Sequence, residues 1–376
     1  MTLSGAKTVR HSQVRVGPRR GGLAHRGRTL SAHPRHLALL EYSQLPHLTS
    51  PEALMKMVLM SVRAWWLGVL GCLLPLLAVA GCVTVRPAHT IEKSQPGQLS
   101  IVAAFYPLQF VAQRIAGDQA TVANLTQPGA EPHDLELTPR QVASLTTASL
   151  VIYQKGFQAA VDEAVTQSEN PDVLDTTTVV PLRPLASTGG DLDHGERPEH
   201  DHSDLDPHVW LDPTAVSRIA RAVAQRLSTI DPTHAADYER NADTLIKDLD
   251  DLDRSFNSGL AHCVRTEFMT THAAFGYLAE RYHLRQIAIS GLSPDLEPSP
   301  ARIAEVQHQA QAKGITTIFS ETLVSPAVAQ AIAGDLGLVT DVLDPVEGIT
   351  RQSRGHDYLS VMSANLAALR KAGQCS

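Results

Sequence analysis

Short, largely apolar runs alternate with helical segments from about residue 99 to the end of the chain. Runs bounded by polar, Gly or Pro positions predict strands at residues 101–105, 121–125, 150–153, 267–271, 286–290 and 316–319. Helical spacing follows at residues 107–116 and in segments that begin at Pro139, Ala273, Pro300 and Pro326. Because strands that alternate with helices form βαβ units, this pattern predicts an α/β fold with mostly parallel sheets.

The folded region, about 275 residues, is large for a single sheet of this kind and therefore predicts two lobes. We expect an N-terminal lobe at residues 99–231 and a C-terminal lobe at residues 260–376. Residues 232–259 between them predict one linking helix, nearly 40 Å long at about 1.5 Å per residue, which is enough to span both lobes. Its apolar stripe consists of Tyr238, Leu245, Leu249, Leu252 and Phe256.

The pattern is interrupted at residues 187–206, which are rich in Gly, Asp and His and nearly free of apolar residues. A segment this polar has no side chains to pack, so it predicts a mobile loop. Its histidines, His194, His200 and His202, form a candidate accessory metal site.

The first residues of the chain do not follow the α/β pattern. Residues 1–59 are rich in Arg, Ser, Pro and Gly, which indicates an unstructured leader or a translated upstream stretch. Residues 60–81 carry Arg63 and then an almost wholly apolar run at 65–80. That run is short for a membrane span and suits the apolar region of a signal peptide.

The apolar run ends in Val79-Ala80-Gly81-Cys82, which resembles the lipobox of bacterial lipoproteins. The resemblance implies that Cys82 is acylated and becomes the first mature residue. Cys72, which follows Leu70-Gly71, is a weaker competing site. Residues 82–98 then form a polar tether.

A cut before Cys82 changes the charge of the protein. Residues 1–81 hold 10 Lys/Arg and 2 Asp/Glu, so the remainder keeps 22 and 37 of the totals of 32 and 39, a net charge of −15. Nucleic acid requires a basic surface, so it is excluded as a partner. An acidic domain is instead compatible with the attraction of cations.

Beyond the leader the chain has two cysteines, Cys263 and Cys375. In an exported chain such a pair predicts one disulfide. The alternative, a pair of thiolate metal ligands, is less favoured because no CxxC spacing exists and Cys375 is the penultimate residue.

Four side chains that can bind a metal lie where a predicted element meets a loop. His133 precedes a helix, His208 lies between two Asp-Pro turns, and both His272 and Asp344 follow an apolar run. Ligands of open α/β sheets gather at the carboxyl ends of strands, so we expect these four to converge. Three imidazoles and one carboxylate suit Zn²⁺ in tetrahedral geometry.

Three segments are similar to the metal-binding solute-binding lipoproteins of ABC transporters, in their zinc-uptake branch. These are PGAEPHD at residues 128–134, DPHVWLDP at 206–213 and THAAFGY at 271–277, extended by ISGLSP at 289–294 and FSET at 319–322. The resemblance covers residues 99–374. It implies two α/β lobes joined by a long helix, with the metal in the cleft and ligands at His133, His208, His272 and Asp344.

The resemblance also implies a function: a monomeric, lipid-anchored protein at the extracytoplasmic face that delivers Zn²⁺ to an ABC transporter permease. Manganese members tend to carry Glu at the third ligand position, so His272 favours zinc over manganese or iron. Glu131 and Glu321 are expected near the site as supporting residues. The loop at 187–206 resembles the His-rich loop of zinc members; it collects or senses zinc, or is a solvated linker.

Two other functions compete with metal uptake. A zinc hydrolase could use the same ligands and leave one position open for water, but the sequence has no HExxH or GxSxG motif. An adhesin is the second alternative, although the sequence shows no repeat that supports it. We therefore expect a carrier rather than an enzyme.

Overall fold

The computed structural model describes residues 98–185 and 205–376. Outside the described residues lie the predicted leader, signal peptide and lipidation site at Cys82, and the histidines of the polar loop, His194, His200 and His202. Among the described helices, none is long and apolar enough to cross a membrane.

The first half of the described chain forms a four-stranded parallel sheet in the order β2-β1-β3-β4. Its strands are β1 (Leu99–Ala103), β2 (Ala120–Asn124), β3 (Leu150–Tyr153) and β4 (Val173–Asp175). The helices that connect them are α1 (Tyr106–Ala116), α2 (Pro139–Thr147) and α3 (Ala159–Ser168). A short antiparallel pair follows, formed by β5 (Arg183–Pro184) and β6 (Leu205–Asp206).

The second half forms another four-stranded parallel sheet, in the order β10-β9-β7-β8. Its strands are β7 (Glu267–Thr270), β8 (Arg285–Ala288), β9 (Thr317–Ser320) and β10 (Val339–Val342). The associated helices are α6 (Gly276–Arg281), α7 (Pro300–Ala312), α8 (Ala327–Leu336) and α9 (Tyr358–Gly373). The predicted α/β fold with two mostly parallel lobes is confirmed.

Two long helices lie between the sheets in sequence: α4 (Pro213–Ile230) and α5 (Ala235–Leu260), joined by a 3₁₀ turn at Pro232–His234. The 26 residues of α5 give a length of about 39 Å. The predicted stripe of α5 is buried throughout, from Tyr238 to Phe256. Helix α5 is therefore the predicted link between the lobes.

Side-chain caps fix where several helices begin. Thr138 and Gln141 form a reciprocal capping box at the start of α2. Asp212 accepts a hydrogen bond from the backbone N–H of Thr214 at the start of α4. The Asp212 cap also fixes the end of the loop that carries His208.

One continuous hydrophobic cluster connects the two lobes. It runs from the first sheet at Ile101 through Leu249 of α5 to Phe275 and Tyr358 of the C-terminal half. A smaller cluster, which includes Met269, lies inside the second sheet. The lobes therefore share a large core, and the second lobe also buries a smaller one of its own.

A disulfide joins Cys263 and Cys375. It links the end of α5 to the end of α9, and the two residues also form an isolated antiparallel bridge. The predicted pairing is confirmed, and the alternative of two thiolate ligands is excluded because each sulfur is bonded to the other.

Candidate metal centre

His133 lies on the loop between β2 and α2. Its backbone N–H donates to Oε1 of Glu131 at 3.1 Å, and this hydrogen bond fixes the conformation of the loop at His133. The edge of the imidazole packs against Phe157, with ring centroids 4.8 Å apart. The side chain is 10% exposed, so it is the most accessible of the three histidines that meet here.

His208 lies between β6 and a 3₁₀ turn at Val209–Leu211, and it is fully buried. Oδ1 of Asp206 accepts from the His208 backbone N–H at 2.9 Å and lies 2.8 Å from its Nδ1. A carboxylate on one ring nitrogen fixes the tautomer and directs the other nitrogen, Nε2, toward a metal. The carboxyl of Asp206 is itself fully buried, so this orientation is held without competition from solvent.

His272 follows β7 and is also fully buried. Its carbonyl accepts from Thr270 Oγ1 at 2.7 Å and from Gln286 Nε2 at 2.8 Å. Oε1 of Glu321 accepts from its backbone N–H at 3.2 Å and lies 2.7 Å from its Nδ1. The carboxylate of Glu321 therefore holds His272 in the same way that Asp206 holds His208.

The three imidazoles converge on Glu347, which lies on the loop after β10. Its Oε1 is 3.5 Å from Nε2 of His133, 3.3 Å from Nε2 of His208 and 3.7 Å from Nε2 of His272. The four ligand atoms all lie within 4.8 Å of one another. Two ligands bound at 2.0–2.1 Å to a tetrahedral Zn²⁺ are about 3.3–3.4 Å apart, so the three distances from Glu347 to the histidines are close to those of a tetrahedral zinc site.

The convergent atoms have no hydrogen-bond partners in the described structure. This holds for Nε2 of all three histidines and for both carboxylate oxygens of Glu347, all of which are buried. Buried polar atoms without partners are costly, by about 1–3 kcal/mol each, and a bound cation would satisfy them together. The donor set therefore fits a metal ion better than it fits a structural hydrogen-bond network.

Burial and the neighbouring carboxylates shift the pKa values of this group. Burial lowers the pKa of His133 below its usual value. Burial also opposes the charge of His272, but the carboxylates of Glu321 and Glu347 outweigh it and raise the pKa of His272 well above the usual value. Burial alone would raise the pKa of Glu347, yet the three imidazoles hold it well below its usual value. The charged form of Glu347 is therefore favoured, and a metal ion would displace the proton that the same carboxylates favour on His272.

Asp344, which sequence analysis places fourth in the ligand set, does not join the three histidines. Its carboxylate accepts hydrogen bonds from the backbone N–H of Val346 at 2.8 Å, from Thr322 Oγ1 at 3.1 Å and from Ser353 Oγ at 2.9 Å. Glu347, three residues further along, occupies the fourth position instead. Three donors already engage the carboxylate of Asp344, whereas the carboxylate oxygens of Glu347 have no hydrogen-bond partner and are free to bind a metal.

Neither Glu347 as a ligand nor the supporting role of Asp206 is predicted from the sequence. The signal for Asp206 was available, because a carboxylate two residues before a buried histidine can reach both its backbone N–H and its ring. The sequence signal for Glu347 is weaker. A ligand is expected at the first acidic residue after a strand, and on this loop that residue is Asp344. Glu131 and Glu321, expected near the site, each accept a hydrogen bond from the backbone of one ligand-set histidine.

A family model described as "Zinc-uptake complex component A periplasmic" matches residues 101–372. The chain belongs to this family. Its members are solute-binding components of uptake systems and not enzymes. Membership agrees with the convergence of three histidines and one carboxylate between the two lobes.

Two relatives and one solved structure illustrate the match. The chain is 36% identical over 310 residues to the zinc-binding lipoprotein AdcA of Streptococcus pneumoniae strain R6, covering 79% of this chain and 60% of AdcA. It is 32% identical over 317 residues to the high-affinity zinc uptake system protein ZnuA of Bacillus subtilis strain 168, covering 81% and 97%. The crystal structure of the Zn(II)-bound ZnuA-like domain of pneumococcal AdcA matches with a TM-score of 0.63 and 34% identity, covering 74% of this chain and 99% of that domain. The chain thus spans 60% of the length of AdcA but nearly all of ZnuA.

Proposed function

We propose that this chain captures Zn²⁺ outside the cytoplasmic membrane and delivers it to the permease of an ABC importer. The observation that carries the proposal is the set of three buried Nε2 atoms around one carboxylate oxygen of Glu347, at 3.3–3.7 Å. Zinc is then the cargo of the protein, bound by His133, His208, His272 and Glu347.

The donor set supports zinc over manganese or iron. Imidazole suits Zn²⁺, whereas carboxylate, carbonyl and water oxygens suit Mn²⁺. A glutamate in place of His272 would add a second carboxylate and favour the harder ion. The names of the relatives, a zinc-binding lipoprotein and a zinc uptake protein, point in the same direction.

We further propose that the protein is anchored by a lipid on Cys82 and acts as a monomer at the extracytoplasmic face of the membrane. Three observations support an extracytoplasmic site: the apolar segment at residues 65–80, the family description as periplasmic, and the disulfide. The named lipoprotein relative supports the lipid anchor. Metabolic labelling with a radioactive fatty acid tests it, because Cys82→Ser should abolish incorporation and Cys72→Ser should not.

The polar loop at residues 187–206 is proposed to collect zinc weakly through His194, His200 and His202. Deletion of residues 187–204, which keeps β6 and the carboxylate of Asp206, should leave the high-affinity site intact, because the four ligands lie on other segments. Zinc titration of the deletion variant measures this. Loss of high-affinity binding on deletion would place the site in the loop and overturn the assignment.

The central experiment measures zinc in the purified chain. We expect one tightly bound Zn²⁺ per chain by elemental analysis, and Zn²⁺ should displace Mn²⁺ in a competition titration. His272→Ala removes one of four ligands and should weaken zinc binding strongly. His308→Ala, on the exposed face of α7, is the matched control and should bind as the unaltered chain does.

Unchanged zinc affinity in His272→Ala would contradict the site. A deletion strain separates the functions: a carrier predicts growth that zinc restores, whereas an adhesin predicts loss of attachment with normal growth at low zinc. A hydrolase predicts turnover by the zinc-loaded protein, which we do not expect.

A further inference from the structure

The loop that presents Glu347 has a strained backbone. Val346, the residue immediately before Glu347, has φ +60°, in the left-handed region that a β-branched residue rarely adopts. Such a conformation persists only where surrounding contacts hold it. The contacts that hold Val346 therefore determine where the carboxylate of Glu347 lies.

Asp344 supplies those contacts from a position that is 2% exposed. Its Oδ1 accepts from the Val346 backbone N–H at 2.8 Å, directly at the strained residue. Its Oδ2 accepts from the hydroxyls of Thr322 at 3.1 Å and Ser353 at 2.9 Å. Its backbone is fixed as well, because Asn365 accepts from its N–H at 2.9 Å and donates to its carbonyl at 2.6 Å.

The same carboxylate reaches a second part of the ligand set. Thr322 directly follows Glu321, whose Oε1 lies 2.7 Å from Nδ1 of His272. Asp344 therefore connects the loop after β10, which carries Glu347, to the loop after β9, which orients His272. The neighbouring carbonyl of Pro345 accepts from Trp210 Nε1 at 2.8 Å, which ties the first loop to the segment that carries His208.

We propose that Asp344 is a positioning residue: it holds the left-handed turn at Val346 so that Glu347 completes the metal site, and it sets metal affinity without binding the metal. The inference rests on the proposed function, in which Glu347 is a zinc ligand. Removal of residues that orient metal ligands lowers affinity by about 10–100-fold, and we expect that loss for Asp344→Ala.

The test compares zinc affinity, by chelator competition on the purified chain, across four variants. We expect Asp344→Ala to lower the zinc affinity by about 10–100-fold, and Asp344→Asn to change it by no more than about threefold. The amide oxygen of Asn can still accept from Val346, and the two hydroxyls can rotate to accept from its NH₂ group. Glu347→Gln loses a charged ligand. In the double variant Asp344→Ala/Glu347→Gln the two losses should not multiply, because one acts through the other.

The control is Asp341→Asn, near the end of β10. The carboxylate of Asp341 pairs with Arg354 at 2.6 Å and with Lys371 at 3.1 Å, away from the ligand set. This variant should keep its zinc affinity. The visible spectrum of bound Co²⁺ provides a readout of geometry, since tetrahedral Co²⁺ absorbs much more strongly than Co²⁺ with five or six ligands. We expect Asp344→Ala to change this spectrum and Asp344→Asn to preserve it.

Three results would overturn the inference. Unchanged affinity and Co²⁺ spectrum in Asp344→Ala would show that the residue serves stability alone. Equal losses in Asp344→Asn and Asp344→Ala, with losses that multiply in the double variant, would make Asp344 a ligand. If Asp344→Ala does not fold, Ser353→Ala and Thr322→Val each remove one donor, and wild-type affinity in both would count against the proposal. Failure of the unaltered chain to bind zinc would instead contradict the proposed function itself.

Discussion

The disulfide between Cys263 and Cys375 gives a stability prediction whose size follows from the fold. The bridge closes a loop across a sequence separation of 112 residues, which contains the whole second sheet. The loss of chain entropy in the unfolded state scales with the logarithm of loop length and amounts to about 5 kcal/mol for this separation. We therefore expect the variant Cys263→Ser/Cys375→Ser to unfold with a free energy lower by up to about 5 kcal/mol.

The assay is urea unfolding of the metal-free chain, followed by circular dichroism, with midpoint and slope compared between the two proteins. Zinc affinity of the folded variant should stay within a few-fold of the unaltered chain, since neither cysteine belongs to the ligand set. A difference in the free energy of unfolding below about 1 kcal/mol, at equal slope, would refute the reasoning. The loop-closure entropy of so long a loop requires a much larger difference.

Two further predictions concern the site and the linking helix. Asp206→Ala should weaken zinc binding by about 10–100-fold in a chelator competition, because it frees the ring of His208 to rotate, and an unchanged affinity would contradict that role. Leu249→Ala on α5, at a position with 0% exposure, should destabilise the chain by about 2–5 kcal/mol in urea unfolding. Lys247→Ala on the exposed face of the same helix, with a side chain 73% exposed, should cost less than about 1 kcal/mol, and equal effects of the two changes would contradict the burial of this stripe.

The sequence predicts the three histidines of the site because their positions depend on local patterns. Each lies beside an element boundary that Pro or an apolar run marks, and parallel strands bring such boundaries to one edge. The α/β fold is predicted for the same reason. Strand β4 was not predicted, and β10 was predicted only through its end before Asp344. Both strands lie at sheet edges and carry polar residues, with Val339 and Thr340 exposed.

The fourth ligand could not be predicted in the same way. Asp344 and Glu347 are three residues apart on one loop, and both are carboxylates after a strand. The choice between them depends on the left-handed turn at Val346. Asp344 accepts a hydrogen bond at that turn, and Asp344 is itself fixed by Thr322 and Asn365, which lie 22 and 21 residues away in the chain. A local pattern carries no information about these distant partners.

The core that both lobes share has a kinetic consequence. Hinge opening of the cleft would expose the cluster that runs from Ile101 through Leu249 to Tyr358, and would break the hydrogen bond from Tyr358 Oη to the Trp210 carbonyl at 2.6 Å. Displacement of the loop that carries Glu347 would remove only Val346 and its immediate neighbours from this cluster, so it exposes less apolar surface than separation of the lobes would. We therefore expect a cargo held by the fully buried His208 and His272 to dissociate at a rate set by motion of this loop. A transporter that deforms the loop would then accelerate release without separating the lobes.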